Sequence, residues 1–127
     1  MKITADYLLD LHACADQVAL FAALWPDGVE VTRATLRQAT AAGLDLDWWM
    51  HHDPQCAFLI RQYREASAPL WRQYREASAP LRRQRDAAGA PLRRQCDAAV
   101  APLRRQYDEA SATLIADLLG LPKEGQP

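Results

Sequence analysis

From residue 58 onward the apolar and polar positions recur every eleven residues. FLIRQYREASA (58–68) is followed by PLWRQYREASA (69–79), PLRRQRDAAGA (80–90), PLRRQCDAAVA (91–101) and PLRRQYDEASA (102–112), with a partial unit, TLIADLLG, from Thr113. Units this alike mark a repeat architecture. Eleven residues close three helical turns at about 3.67 residues per turn, so each repeat position keeps its angular place along a helix. Leu59, Leu70, Leu81, Leu92, Leu103 and Leu114 then fall in one line. Ala66, Ala77, Ala88, Ala99 and Ala110 lie to one side, and Tyr63, Tyr74, Arg85, Cys96, Tyr107 and Leu118 to the other. The pattern predicts a narrow apolar seam. Opposite it, Arg61–Glu65, Arg72–Glu76 and Arg105–Glu109 have i,i+4 spacing, each pair contributing only ~0.2–0.5 kcal/mol.

Asp53-Pro54 is a strong helix start, a capping carboxylate before a proline whose missing N–H costs nothing at the first helical position. Gly120 and Pro122 close the pattern. A single helix over 54–119 would run roughly 100 Å at 1.5 Å per residue, and it could not cover its own seam. Pro69, Pro80, Pro91 and Pro102 oppose it, since an interior proline removes a hydrogen bond and costs ~3 kcal/mol. Helices broken at every proline would be eight or nine residues long, too short to stand without extensive packing. The reading is therefore one continuous helix, bent slightly at each proline, whose seam a partner must cover. An eleven-residue period favours a straight or right-handed coiled coil.

Residues 1–52 read as a small helical head. Thr4 caps a helix through about Asp10, and a second covers Ala15 to Leu24. Trp25-Pro26-Asp27-Gly28 turns the chain, and Val29-Glu30-Val31 is an extended link. Thr32 caps a third helix ending near Ala42, with Gly43 as a left-handed terminator. Asp45 or Asp47 starts a last turn carrying Trp48, Trp49 and Met50. A core of this size is marginal alone, so the head needs the start of the rod or a second chain to pack on. Thr32–His52 has the layout of a helix-turn-helix. Its second segment carries Asp45 and Asp47 and no cation, where a helix meeting phosphates needs them.

Composition sets the class. Alanine, leucine, arginine and glutamine are abundant and aromatics make up 8%, a helix-forming mixture that predicts an all-α protein. The net charge of −1 hides an asymmetry. Residues 1–60 carry three cations against eight acids, a net of −5, whereas 61–114 carry eleven arginines against six acids, a net of +5. Residues 121–127 read as a flexible tail. Three separated cysteines, Cys14, Cys56 and Cys96, argue for a reducing compartment. No apolar run suggests a signal peptide or a bilayer span, so a cytoplasmic location is expected.

Candidate chemistry is sparse. His51, His52 and Cys56 are close in sequence, and only His12 and Cys14 could add to them; a metal needs three or four converging ligands, so no metal or other cofactor is expected. The tyrosines at 63, 74 and 107 read as seam packing rather than platforms for stacked bases, and Cys96 as a small buried residue on the seam. No phosphate loop, nucleophile elbow or paired-carboxylate site is visible, and an enzyme is not expected.

The proline-punctuated units, with Pro-Leu at the start and Tyr-x-Glu in the middle, resemble the eleven- and twenty-two-residue repeats of exchangeable apolipoproteins over residues 58–119. That resemblance implies a helix lying on a lipid surface. The seam here is one leucine wide, is interrupted by Arg85 and has no lysines, whereas a lipid-bound helix has a broad apolar face rimmed by them. The layout of Ala13–Phe21, Pro26–Thr32 and the repeats is similar to that of small phage and bacterial proteins of unknown function, which implies a mobile-element setting.

The expected function is a non-enzymatic structural or interaction protein, homo-oligomeric through Leu59, Tyr63, Ala66, Leu70, Tyr74, Ala77, Leu81, Ala88, Leu92, Cys96, Ala99, Leu103, Tyr107, Ala110, Leu114 and Leu118, with the head as cap or binding surface. The alternatives are a peripheral binder of a lipid or anionic surface, and a phage factor that occludes a host protein. Nucleic acid is not an expected partner.

Overall fold

The computed structural model describes residues 1–87 and 89–123. The described residues form six α-helices: α1 (Ala5–Asp10), α2 (Ala15–Leu24), α3 (Arg33–Ala41), α4 (Leu46–His52), α5 (Ile60–Ala87) and α6 (Ala90–Leu118). A 3-10 turn over Pro54–Leu59 leads into α5. Strands β1 (Lys2–Ile3) and β2 (Val29–Glu30) pair antiparallel. The protein is all-α apart from this minimal ribbon.

Local chemistry explains the head. Thr4, Thr32 and Asp45 each accept a hydrogen bond from a backbone N–H in the first turn of the helix they precede, and Thr32 and Thr35 complete a reciprocal capping box. Gly28 closes the turn before β2 with φ +87, and a Cβ there would stand 2.9 Å from the Ile3 carbonyl oxygen, so both backbone shape and space demand glycine.

The repeat region departs from the expected rod. Two helices of 28 and 29 residues replace one, and they pack against each other as an antiparallel hairpin. The chain runs helically through Pro69, Pro80 and Pro102, all solvent-exposed, so the lost hydrogen bonds fall on the outer, convex side where water can compensate. Continuity fails at Gly89, the only glycine in the five full units. Gly89 is extended (φ −72, ψ 171) and precedes α6, with Pro91 in its first turn. Glycine weakens the helix by about 1 kcal/mol where a proline follows two residues later, and reversal there lets the chain cover its own seam. Ala88 lies outside the described residues.

Reversal also selects a different set of seam residues. Leu59, Tyr63, Tyr74 and Cys96 are buried, and Leu70, Leu81, Leu103, Tyr107, Ala110, Leu114 and Leu118 partly so. Ala66, Ala77 and Ala99 are exposed, and Leu92 is 54% exposed. The inner flank is the next repeat position, where Ser78 and Ser111 are buried and Ser67 and Val100 half-buried. The true inner register is thus leucine, tyrosine and serine at intervals of four, four and three residues. Serine tolerates this place because its hydroxyl turns back on its own helix: Ser67 and Ser78 Oγ donate to the Arg64 and Arg75 carbonyls at 3.4 Å.

Head and hairpin share one core. Ile3, Leu8, Phe21, Val31, Leu36, Trp49 and Met50 pack with Cys56, Leu59 and Tyr63 from the start of the hairpin and Ala112, Ile115 and Ala116 from its end. The head therefore clamps both hairpin termini, and the division expected at residue 52 is a joint inside one domain. Arg33 tightens the clamp, donating to the Leu121 and Pro122 carbonyls at 3.0–3.2 Å and pairing with Asp117 at 2.6 Å.

Candidate interaction surfaces

Asp53 is the hinge pin between head and hairpin. Fully buried, its carboxylate accepts from Tyr7 Oη at 2.6 Å, Trp49 Nε1 at 2.7 Å and the Gln55 backbone N–H at 2.9 Å. The sequence marked Asp53 only as a helix cap; its tertiary donors lie 46 and 4 residues away and leave no local pattern. Beside it, burial first and the Asp53 charge second push the Cys56 thiol up to about 12, so it stays protonated and inert.

The expected metal candidates do not converge. His51 Nδ1 donates to the Asp47 carbonyl and His52 Nδ1 to the Trp48 carbonyl, each at 2.8 Å. His52 stacks on Trp48 at 4.5 Å, and Cys56 is buried. Among the described residues no cluster of three metal-binding side chains exists.

A cleft of about 700 Å³ opens where the head overhangs the hairpin. Asp45, Asp47 and His51 line its head side, with Arg64, Trp71, Arg104, Tyr107, Asp108 and Ser111 opposite. Tyr63 Oη donates to Asp47 Oδ1 at 2.9 Å, and Arg64 Nε reaches His51 Nε2 at 3.3 Å, so the walls are already bonded together. Burial lifts Asp108 above the ordinary carboxylate range; Arg104 at 3.2 Å pulls it back, and Asp45 adds to the rise. Ser111 Oγ is buried without a hydrogen-bond partner. The lining offers acceptors and aromatic edges for a small polar guest.

Further out, the arms hold an aromatic cluster. Trp71, Tyr74 and Tyr107 have ring centroids 5.4–5.5 Å apart. The Arg104 guanidinium lies 5.6 Å from the Tyr74 and 5.5 Å from the Tyr107 centroid, and Arg82 lies 5.5 Å from Tyr74, attractive cation–π geometry. Arg85 and Asp97 pair across the arms at 2.8 Å.

Among the described residues, two outer surfaces combine exposed apolar or basic positions over several turns. On α2 the stripe Asp16, Ala19, Leu20, Ala23 and Leu24 is exposed throughout, with Leu20 and Leu24 at 40% and 41%, and Asp27 in the following turn is exposed as well. On the arms, residues 72–105 carry nine arginines against Glu76, Asp86 and Asp97, a net of +6. Only the hairpin base touches the head core, so most of this basic stretch lies away from the acidic head, with Arg104 facing the head across the cleft. Among the described residues no helix is long and apolar enough to cross a membrane.

No family model matches the chain, and neither the curated proteins nor the solved structures hold a significant match to it.

Proposed function

We propose that this is a non-enzymatic interaction protein that meets its partners through the outer faces of the head and the hairpin. The repeat seam was the expected contact surface, but within the hairpin it serves folding. Contact is left to what remains exposed. One observation carries this reading: a molecule with an acidic head, net −5 over residues 1–60, and basic hairpin arms, net +6 over 72–105. Charge separated this way steers association over roughly a Debye length of ~10 Å.

Sedimentation velocity across protein concentration tests this at low and at high salt. Association at low salt that weakens at high salt supports the reading. A monomer under every condition contradicts it.

The nine arginines of the distal arms favour one second reading, docking on an anionic surface. Co-flotation with anionic vesicles, but not with neutral ones, supports it.

A further inference from the structure

We propose that the outer face of α2 in one copy docks on the outer face of α6 in another, so that copies join head to tail. This rests on the interaction reading above and names the partner as a second copy of the chain.

The two faces match in length, polarity and charge. On α2, Leu20 and Leu24 stand exposed between Asp16 and Asp27. The helix has ten residues, about 15 Å at 1.5 Å per residue. On α6 the residues Arg94, Ala98, Ala101 and Arg105 form one exposed stripe. Its two arginines are eleven residues apart, about 16 Å along the helix. Small alanines between them let another helix approach closely while each arginine reaches an aspartate. Among the described residues Asp16, Asp27, Arg94 and Arg105 have no ion-pair partner.

Other occupants fit less well. Two α2 faces related by a two-fold axis would set Asp16 against Asp27 of the other copy, like charge on like. A phosphate backbone offers nothing to cover Leu20 and Leu24. The arms are also no uniform field for a polyanion, because Arg82 and Arg104 lie on tyrosine rings and Arg85 is paired with Asp97. A heterologous contact of this kind builds open chains or rings.

The test uses two variants of the full chain in low salt, with sedimentation velocity as the readout. L20D/L24D disables the head surface and R94E/R105E disables the arm surface; all four residues are exposed, and circular dichroism checks that each variant keeps its helices. The wild type is expected to grow beyond a dimer with concentration, and each variant alone to remain monomeric. Their equimolar mixture is expected to double in mass and stop, since one intact head meets one intact arm. The fourfold swap D16R/D27R/R94E/R105E is expected to regain growth. Wild-type growth that neither variant reduces would overturn this pairing while leaving the interaction reading in place. A wild type that stays monomeric at every concentration and salt would overturn both. Monomers that instead float with anionic vesicles would replace the second copy by a membrane surface.

Discussion

Tyr74 and Tyr107 hold the same repeat position in the second and fifth units, and their ring centroids lie 5.4 Å apart across the hairpin. Residues thirty-three positions apart on an unbroken helix would be separated by roughly 50 Å. Their contact is the imprint of the reversal at Gly89. It also gives the eleven-residue period its use: both arms present the same tyrosine, serine and leucine line, so a repeat folded on itself pairs like positions without a second chain.

Tyr74→Ala is expected to destabilise the fold by about 3 kcal/mol, as for other large aromatic truncations in a core. The ring is 6% exposed and carries two arginine contacts. Leu92→Ala, on the expected leucine line but 54% exposed, is expected to change stability by no more than about 0.5 kcal/mol. Urea denaturation of both variants checks the pair. Equal losses would restore the leucine line as the seam's centre.

Asp53→Asn keeps the volume but replaces one accepting oxygen with an amide. With Tyr7, Trp49 and the Gln55 N–H all donating to that carboxylate, the expected loss is about 2 kcal/mol. Near-ultraviolet circular dichroism of Trp49 should change as well. An unaltered melting curve would remove Asp53 from its role as the joint.

Much of the head was legible because its signals are local. Thr4, Thr32 and Asp45 cap the helices their spacing suggests, and Gly43 adopts the left-handed conformation (φ +92) expected of a terminator. Long helices surviving interior prolines were legible too, since the prolines share one angular position. What escaped depends on tertiary choice. Ile3 finds its strand partner Val29 across two intervening helices. The expected seam runs through Ala77, yet Ser78 is fully buried and Ala77 exposed, because the packing angle of the two arms decides which flank faces inward. The cleft between Asp47 and Trp71 exists only once the hairpin closes.

Thiol reactivity separates the cysteines. Cys14 is exposed while Cys56 and Cys96 are buried, so a thiol reagent at pH 8 should find one fast site in the native protein and three after denaturation. Burial and Asp53 raise Cys56 from 9.0 to about 12. Between those values the unfolded thiol loses its proton while the folded one keeps it, so stability present below pH 9 is lost as pH rises toward 12. Burial, with Asp47 next, also raises Tyr63 and acts in the same direction. Cys56→Ala should flatten the alkaline decline in urea midpoints; an unchanged slope would count against this linkage.

Gly89→Ser makes the third unit end like the first, second and fifth. No atom lies within 4 Å of the place a Cβ would take, and the backbone there is extended. The helix preference gained, a few tenths of a kcal/mol to about 1, is small against exposing the buried tyrosine and serine line of both arms. The variant is expected to keep the wild-type radius of gyration in small-angle scattering. An elongated particle would mean that glycine alone dictates the reversal.

Interspin distance answers most directly whether the repeats close on themselves. Labels at the exposed positions Ala66 and Glu109, in a chain whose native cysteines are replaced and which is diluted with unlabelled protein, report on one molecule at a time. A folded hairpin, with helix axes ~8–10 Å apart, predicts a narrow distribution below about 30 Å. A peak near 65 Å, the span of forty-three residues of continuous helix at 1.5 Å each, would contradict it.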